Sequence, residues 1–333
     1  MHLFKNNNKQ IMEKIDDDSN IRDKIKVPDN IINRKFVYSC SDIELAAEYC
    51  NNKENFTIFE YLLKKNRKNR KLIKKILKSK LRDGDTSCMQ AIKLLMDYGA
   101  DINCMYKNGR TPLMLVCDYD IQKPKKEFVE FLLKNGSKVN VVDKYGNDAL
   151  LFICKKGKKE DIEIIKLLLE YGANVNSNKS NFSCLMCAAH NTNYDITKLL
   201  IENGANVNYV SKNGYGILNL IYDNTIHYNN EDNRIIKLLI ENGANVNSKN
   251  KSGETPLMNI IMLTLLNKSL EYESIKLLLD NKADVYIKNI NGKNIFNIVE
   301  NVKQRNSDIY SFIFYYKNIY NDYLCERDIN FIY

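Results

Sequence analysis

LLIENGANVN stands at residues 199–208 and recurs unchanged at 238–247. Three close variants precede it: LLMDYGADIN (94–103), LLKNGSKVN (132–140) and LLLEYGANVN (167–176). A sixth copy, LLLDNKADVY (277–286), carries Lys282 in place of the glycine. The glycine-to-glycine steps are 37, 36, 32 and 39 residues, and Gly243 to Lys282 is another 39. A second phrase follows each copy at a fixed offset. It is clearest as GRTPLM (109–114) and GETPLM (253–258), and weaker as GNDALL (146–151), NFSCLM (181–186), GYGILN (214–219) and GKNIFN (292–297). Self-similarity at this period marks a repeat architecture.

Each phrase has a physical reading. The leucine pair closes an amphipathic helix, as the apolar spacing in Ile162–Leu169 shows. The glycine falls just past the helix end, where a left-handed cap is needed. The A-N-V-N stretch is extended, with its Val or Ile pointing inward. Thr111-Pro112 and Thr255-Pro256 then open the next helix as N-cap and first helical residue. The unit is loop, short helix, connector, longer helix. One unit cannot bury its own apolar face, so neighbours must stack.

These two phrases resemble the ankyrin repeat, whose pattern is G-x-T-P-L-H followed by L-L-x-x-G-A-x-x-N. The Asn/Lys/Ile-rich dialect resembles the large ankyrin families of giant DNA viruses (mimivirus-like). The resemblance implies an all-α ankyrin-repeat solenoid with extended finger loops and helical caps. The family's TPLH histidine is here Met114, Leu151, Met186, Asn219, Met258 and Asn297, so its hydrogen bonds must be lost or replaced. Greasier inter-repeat packing is expected. The surplus length of the repeats falls in connectors at 118–128 and 222–234, which read as surface insertions.

Four segments follow. Residues 1–34 are a polar N-terminal segment, expected to be flexible. Residues 35–83 carry apolar stripes at helical spacing and read as a helical cap or degenerate repeats. Residues 84–300 are the repeat array, opened by a helix within Asp85–Tyr98. Residues 301–333 hold an aromatic amphipathic helix over 308–323, a terminal cap, and a tail. An F-box-like terminus would open with Leu-Pro; NDYLCERDINFIY (321–333) does not, and VPDNII (27–32) is a faint echo.

The 333 residues carry a net charge of +9, with 44% hydrophobic residues, 13 Gly and 4 Pro. That apolar share excludes wholesale disorder, and so few turn formers argue for helices over a sandwich or barrel. The charge is concentrated: KKNRKNRKLIKKILKSKLR (64–82) holds eleven Lys and Arg and no acid. The remaining 39 basic and 41 acidic residues nearly cancel. A protein-wide nucleic-acid surface is therefore not expected, although a local one can sit on Lys64, Lys65, Arg67, Lys68, Arg70 and Lys71. The bland reading of the segment is a solvated helix face over the stripe Leu72, Ile73, Ile76, Leu77 and Leu81.

Nine cysteines without regular spacing in a chain of this size fit reduced thiols inside a cell. MHLFKNNNKQ (1–10) has no apolar run after its charges, so no secretory leader is expected. No stretch approaches the length of a membrane span. A cytoplasmic monomer is expected, in the host cytoplasm if viral, with the nucleus as the alternative.

Chemistry is scarce. Cys184-x-x-Cys187-x-x-His190 has zinc-ligand residue types. Its slots are those of an ordinary repeat, so it reads as two core cysteines and a surface histidine. With 3 histidines and no phosphate-binding glycine loop, no catalytic, metal or cofactor site is expected. The finger loops are the informative positions. They contribute Tyr106, Tyr145, Tyr209, Tyr215 and Tyr286, with Lys107, Lys144, Lys179, Lys212, Lys249, Lys251 and Lys288; Asp143 is their one acid. The resemblance implies that these fingers and the adjoining concave face bind a partner protein. Tyrosine favours interface anchors and a positive face favours an acidic partner. The expected function is a non-enzymatic scaffold or adaptor. A nucleic-acid or nuclear role through 64–82 is the alternative.

Overall fold

The computed structural model describes residues 53–83, 88–118, 126–177, 179–223, 230–267 and 272–300, with isolated positions between 43 and 50 and between 311 and 315. The described residues are helices joined by loops, with no strand among them. In chain order the helices are α1 (Lys53–Asn66), α2 (Arg70–Asp83), α3 (Met89–Asp97), α4 (Pro112–Cys117), α5 (Lys126–Lys134), α6 (Ala149–Lys156) and α7 (Ile162–Glu170). They continue as α8 (Cys184–His190), α9 (Tyr194–Glu202), α10 (Ile217–Asp223), α11 (Asn230–Glu241), α12 (Pro256–Asn267), α13 (Tyr272–Asp280) and α14 (Ile295–Glu300). None of them is long and apolar enough to cross a membrane.

The chain divides into two compact units. The first comprises residues 1–152 and 166–173; the second comprises 153–165 and 174–333. In the first, α1 packs on α3, α2 on both α3 and α4, and α4 on α5. The lysine-rich α2 thereby takes the place of an inner helix before α3. In the second, α8, α10, α12 and α14 form one row, and α9, α11 and α13 form a second row beside it. Cores are aliphatic, with Phe59 and Phe128 fully buried in the first unit. Ile102, Val175 and Val285, from the extended stretches after the helices, are also buried.

Local sequence explains each helix end. Thr111 Oγ1 accepts from the Met114 amide, Asp148 Oδ1 from Leu151, Ser183 Oγ from Met186 and Thr255 Oγ1 from Met258. Each is an N-cap satisfying an amide of the first turn. Asn294 and Asn297 cap α14 reciprocally, each side-chain oxygen accepting from the other's amide. This serves as the capping-box exchange, so Asn297 takes a new role in the family's histidine slot. At the other ends, Gly99, Gly136, Gly172, Gly204 and Gly243 have φ between +80° and +91°. Gly204 N–H bonds to Ile201 O and Ala205 N–H to Leu200 O, the doubled bond of a Schellman cap.

Lys282 keeps this left-handed geometry (φ +67°) and the same paired bonds, to Leu279 O and Leu278 O. A side chain there costs about 1–2 kcal/mol. Part of that is offset because glycine loosens the unfolded chain. Lys282→Gly is therefore expected to stabilise the protein by about 1 kcal/mol, read as a rise in urea midpoint at constant slope. An unchanged or lowered midpoint would mean that the lysine relieves its own strain.

The final Asn of each phrase ties one repeat to the next. Asn103 Nδ2 donates to Gly136 O (2.9 Å), Asn140 to Gly172 O (2.8 Å), Asn176 to Gly204 O (2.8 Å), Asn208 to Gly243 O (2.8 Å) and Asn247 to Lys282 O (3.2 Å). Several also accept from an amide of that next repeat: Lys138 onto Asn103, Asn206 onto Asn176, Asn245 onto Asn208 and Asp284 onto Asn247. Asn176→Ala loses both bonds, and at an exposed site this costs about 1–2 kcal/mol. Thermal unfolding should show it, with Asn203→Ala, whose side chain bonds only to Leu199 O within its own helix, as the comparison.

The histidine slots are filled as expected in four repeats: Met114, Leu151, Met186 and Met258 are at most 2% exposed. Asn219 instead restores polar bonds, as described below. At the C-terminal side, Ile313 is buried and Phe314 packs edge-on to Phe296 at 5.5 Å between ring centroids. Apart from positions 311 and 313–315, the 308–323 segment lies outside the described residues, as do the N-terminal 1–34 and residues 119–125 and 224–229 of the two long connectors.

Candidate partner-binding interface

The fingers of the first unit carry four of the expected binding residues. Lys107 and Lys144 are exposed. Tyr145 is 57% exposed, and the Lys144 ammonium lies 4.7 Å from its ring centre. Tyr106 is different: it is half-buried, and its hydroxyl donates to Lys74 O of α2 (3.2 Å). The Lys74 and Lys78 ammoniums lie 5.3 Å and 5.7 Å from its ring centre. Burial, then its hydrogen bond with Cys104, pushes the Tyr106 hydroxyl well above the ordinary range for tyrosine. It is a strut between finger and helix. Met105 beside it is 59% exposed, with its carbonyl accepting from Lys74 Nζ. Asp143 is buried, its carboxyl taken up by amides of its own finger.

In the second unit, Lys179, Lys212, Lys249, Lys251 and Lys288 are all exposed. Lys212 Nζ reaches back to Lys179 O at 2.8 Å. Tyr209 is half-buried with its hydroxyl on Ser180 O (3.2 Å), the same strut as Tyr106 makes. Tyr215 is half-buried, and its amide donates to Ser211 Oγ. Tyr286, 40% exposed, packs its ring at a tilt against Phe296, with 5.6 Å between ring centroids. Val210 is 56% and Ile290 72% exposed. With Met105 these are the tip residues that sequence reading missed. An apolar residue in a loop reads as core unless its direction is known.

The basic segment forms the α1–α2 turn and the outer face of α2. Lys64, Lys65, Arg67, Lys68, Arg70 and Lys71 are exposed. Leu72, Ile73, Ile76, Leu77 and Leu81 are buried beneath. Some of the charge is engaged: Lys75 pairs with Glu44 at 2.7 Å, and Lys80 is buried.

Cys184 and Cys187 are buried on α8, and burial, then the neighbouring Cys184, pushes the Cys187 thiol up to about 12. Such a thiol is a poor nucleophile near neutral pH. Among the described residues no three His, Cys, Asp or Glu side chains stand close enough to hold a metal ion.

Residues 82–150 and 119–211 match the family model described as ankyrin repeats (3 copies). An ankyrin repeat protein of Acanthamoeba polyphaga mimivirus is 31% identical over 100 residues, 28% of this chain and 16% of the relative. One of variola virus is 32% identical over 88 residues, 26% of this chain and 15% of the relative. The matches span about a sixth of those relatives' length. The crystal structure of the human ASB11 ankyrin repeat domain superposes with a TM-score of 0.52 at 22% identity, over 67% of this chain and 90% of that one. The ankyrin repeat domain of Bcl-3 superposes with a TM-score of 0.52 at 20% identity, over 67% and 92%. These likenesses show the fold.

Proposed function

Since this chain carries an array of ankyrin repeats, which generally mediate protein–protein interaction, we propose that it is a non-enzymatic scaffold or adaptor whose finger loops bind an acidic partner protein. The observation that carries this reading is the composition of the finger surface. Each unit presents exposed lysines next to exposed apolar side chains: Met105 and Tyr145 in the first, Val210, Tyr286 and Ile290 in the second. Asp143 is withdrawn into its own loop. Isolated apolar anchors within a cationic rim supply affinity and orientation respectively. The cytoplasm is the compartment of this reading.

The test is affinity purification of the tagged chain from a eukaryotic lysate, with nuclease treatment and moderate-salt washes, followed by mass spectrometry. One or two partners that survive, and that are lost when Tyr145, Val210 and Tyr286 are changed together to alanine, support the adaptor. Retention by the triple variant removes the fingers from the interface.

A second reading rests on the six exposed cations Lys64, Lys65, Arg67, Lys68, Arg70 and Lys71. They supply a local phosphate-binding surface for nucleic acid. Binding of that kind falls steeply as salt rises from low to physiological, whereas an apolar-anchored protein interface holds. Recovery dominated by nucleic acid, and lost on neutralising this cluster, promotes the second reading over the first.

A further inference from the structure

The second unit contains a half-open cavity of about 200 Å³ at the base of one finger. Val207, Ile217 and Leu218 line it, and Val210 stands at its rim. Asn208, Asn245 and Ser248 complete the wall. The local sequence here differs from the other repeats. The slot occupied by Thr111, Asp148, Ser183, Thr255 and Asn294 in the other repeats holds Gly216 here. Gly216 lines the cavity, and a Cβ built there would come within 2.9 Å of Ser248 Oγ, so Ser248 packs directly against the glycine.

We propose that this cavity receives a single apolar side chain, of leucine, methionine or phenylalanine size, from an extended acidic segment of the partner protein. The inference rests on the adaptor reading and assigns it an anchor point. Size argues for one side chain: pockets for small molecules start at roughly 300 Å³. The lining is aliphatic apart from the two asparagines and the serine, and those asparagines are already joined to each other by the inter-repeat bond. Charge argues for the flanks of the segment. Lys249 follows the lining residue Ser248, and Lys212 lies two residues beyond Val210. Lys251 Cγ rests 2.7 Å from where a Cβ on Gly214 would stand, so its chain lies along this same finger. All three lysines are exposed, while the nearby Glu254 is half-buried and takes a hydrogen bond from Asn250 (3.0 Å). An apolar anchor between carboxylates meets both features.

The experiment selects binders of the full chain from a displayed library of random peptides, then titrates the strongest one, synthesised with a fluorescent label, into the wild type and variants. Selected sequences are expected to share one large apolar residue flanked by Asp or Glu. Val210→Asp is expected to weaken binding by at least about tenfold, the loss typical of a buried anchor. Lys249→Glu with Lys251→Glu is expected to weaken it and to flatten its salt dependence, whereas Tyr171→Ala, at an exposed helix end of the other unit, leaves it unchanged. Val210 is exposed, so its variant should melt with the wild type, and circular dichroism checks this. Selected peptides without an apolar anchor, or no selection at all, overturn the assignment. Binding that survives Val210→Asp but falls with Tyr145→Ala also overturns it, while leaving the adaptor reading standing on another finger.

Discussion

Asp143→Ala should destabilise the first unit by about 3 kcal/mol. The side chain is buried, and Oδ1 accepts from the amides of Tyr145 and Asn147, both at 2.9 Å. Oδ2 accepts from Asn147 Nδ2 at 3.1 Å. The loop backbone closes over it, with Asp143 N–H on Asn147 O (2.8 Å) and Gly146 N–H on Asp143 O (3.0 Å). Alanine leaves three donors without their acceptor. Each buried unpaired donor costs about 1–3 kcal/mol, and water entering beside the exposed Tyr145 recovers part of the total. Asp143→Asn keeps one acceptor oxygen and should lose about 1 kcal/mol. Urea unfolding gives both values, and amide exchange at 143–147 localises them. Values for both variants within about 0.5 kcal/mol of wild type would show that the finger closes without the carboxyl.

Asn219→Ala is expected to cost the second unit a similar amount, about 3 kcal/mol, by a different route. Asn219 is fully buried in α10; its Nδ2 donates to Glu254 O (3.1 Å) and its Oδ1 accepts from Ser248 Oγ (2.8 Å). Truncation removes both inter-repeat bonds and opens a void, and the two losses add. Asn219→Met separates them. Methionine fills the equivalent site as Met114, Met186 and Met258, so it restores volume and leaves the two partners unpaired. It should recover about half of the loss. A double-mutant cycle with Ser248→Ala measures the side-chain pair directly. Full recovery by methionine would mean that the polar bonds contribute nothing net and that filling alone matters.

The two sites mark the limit of what the residue pattern discloses. The helix caps were legible because capping is local. Thr111 and Thr255 meet amides three residues away, and the glycines turn the chain where the leucine pair ends. The buried faces were legible because period alone puts Leu72, Ile76 and Leu168 inside. The exposure of Lys64 to Lys71 was legible because that run has no apolar partner to hide behind. Tyr106 and Tyr209, by contrast, read as free aromatic anchors, yet each braces its finger against a carbonyl 32 and 29 residues back. Asp143 read as the acid on a positive surface, and it faces inward.

The sequence by itself determined the repeat, its length, its helix ends and the bias of its loops toward lysine, because these follow from backbone conformation and charge within a few neighbouring residues. Only the tertiary structure decided which loop side chains are struts and which are free. It alone turned Met105, Val210 and Ile290 outward, buried Asp143 and left a cavity beside Gly216. The struts and the cavity depend on where a neighbouring repeat places its carbonyls and side chains, about thirty residues away along the chain, and a contact of that range is written in no local pattern.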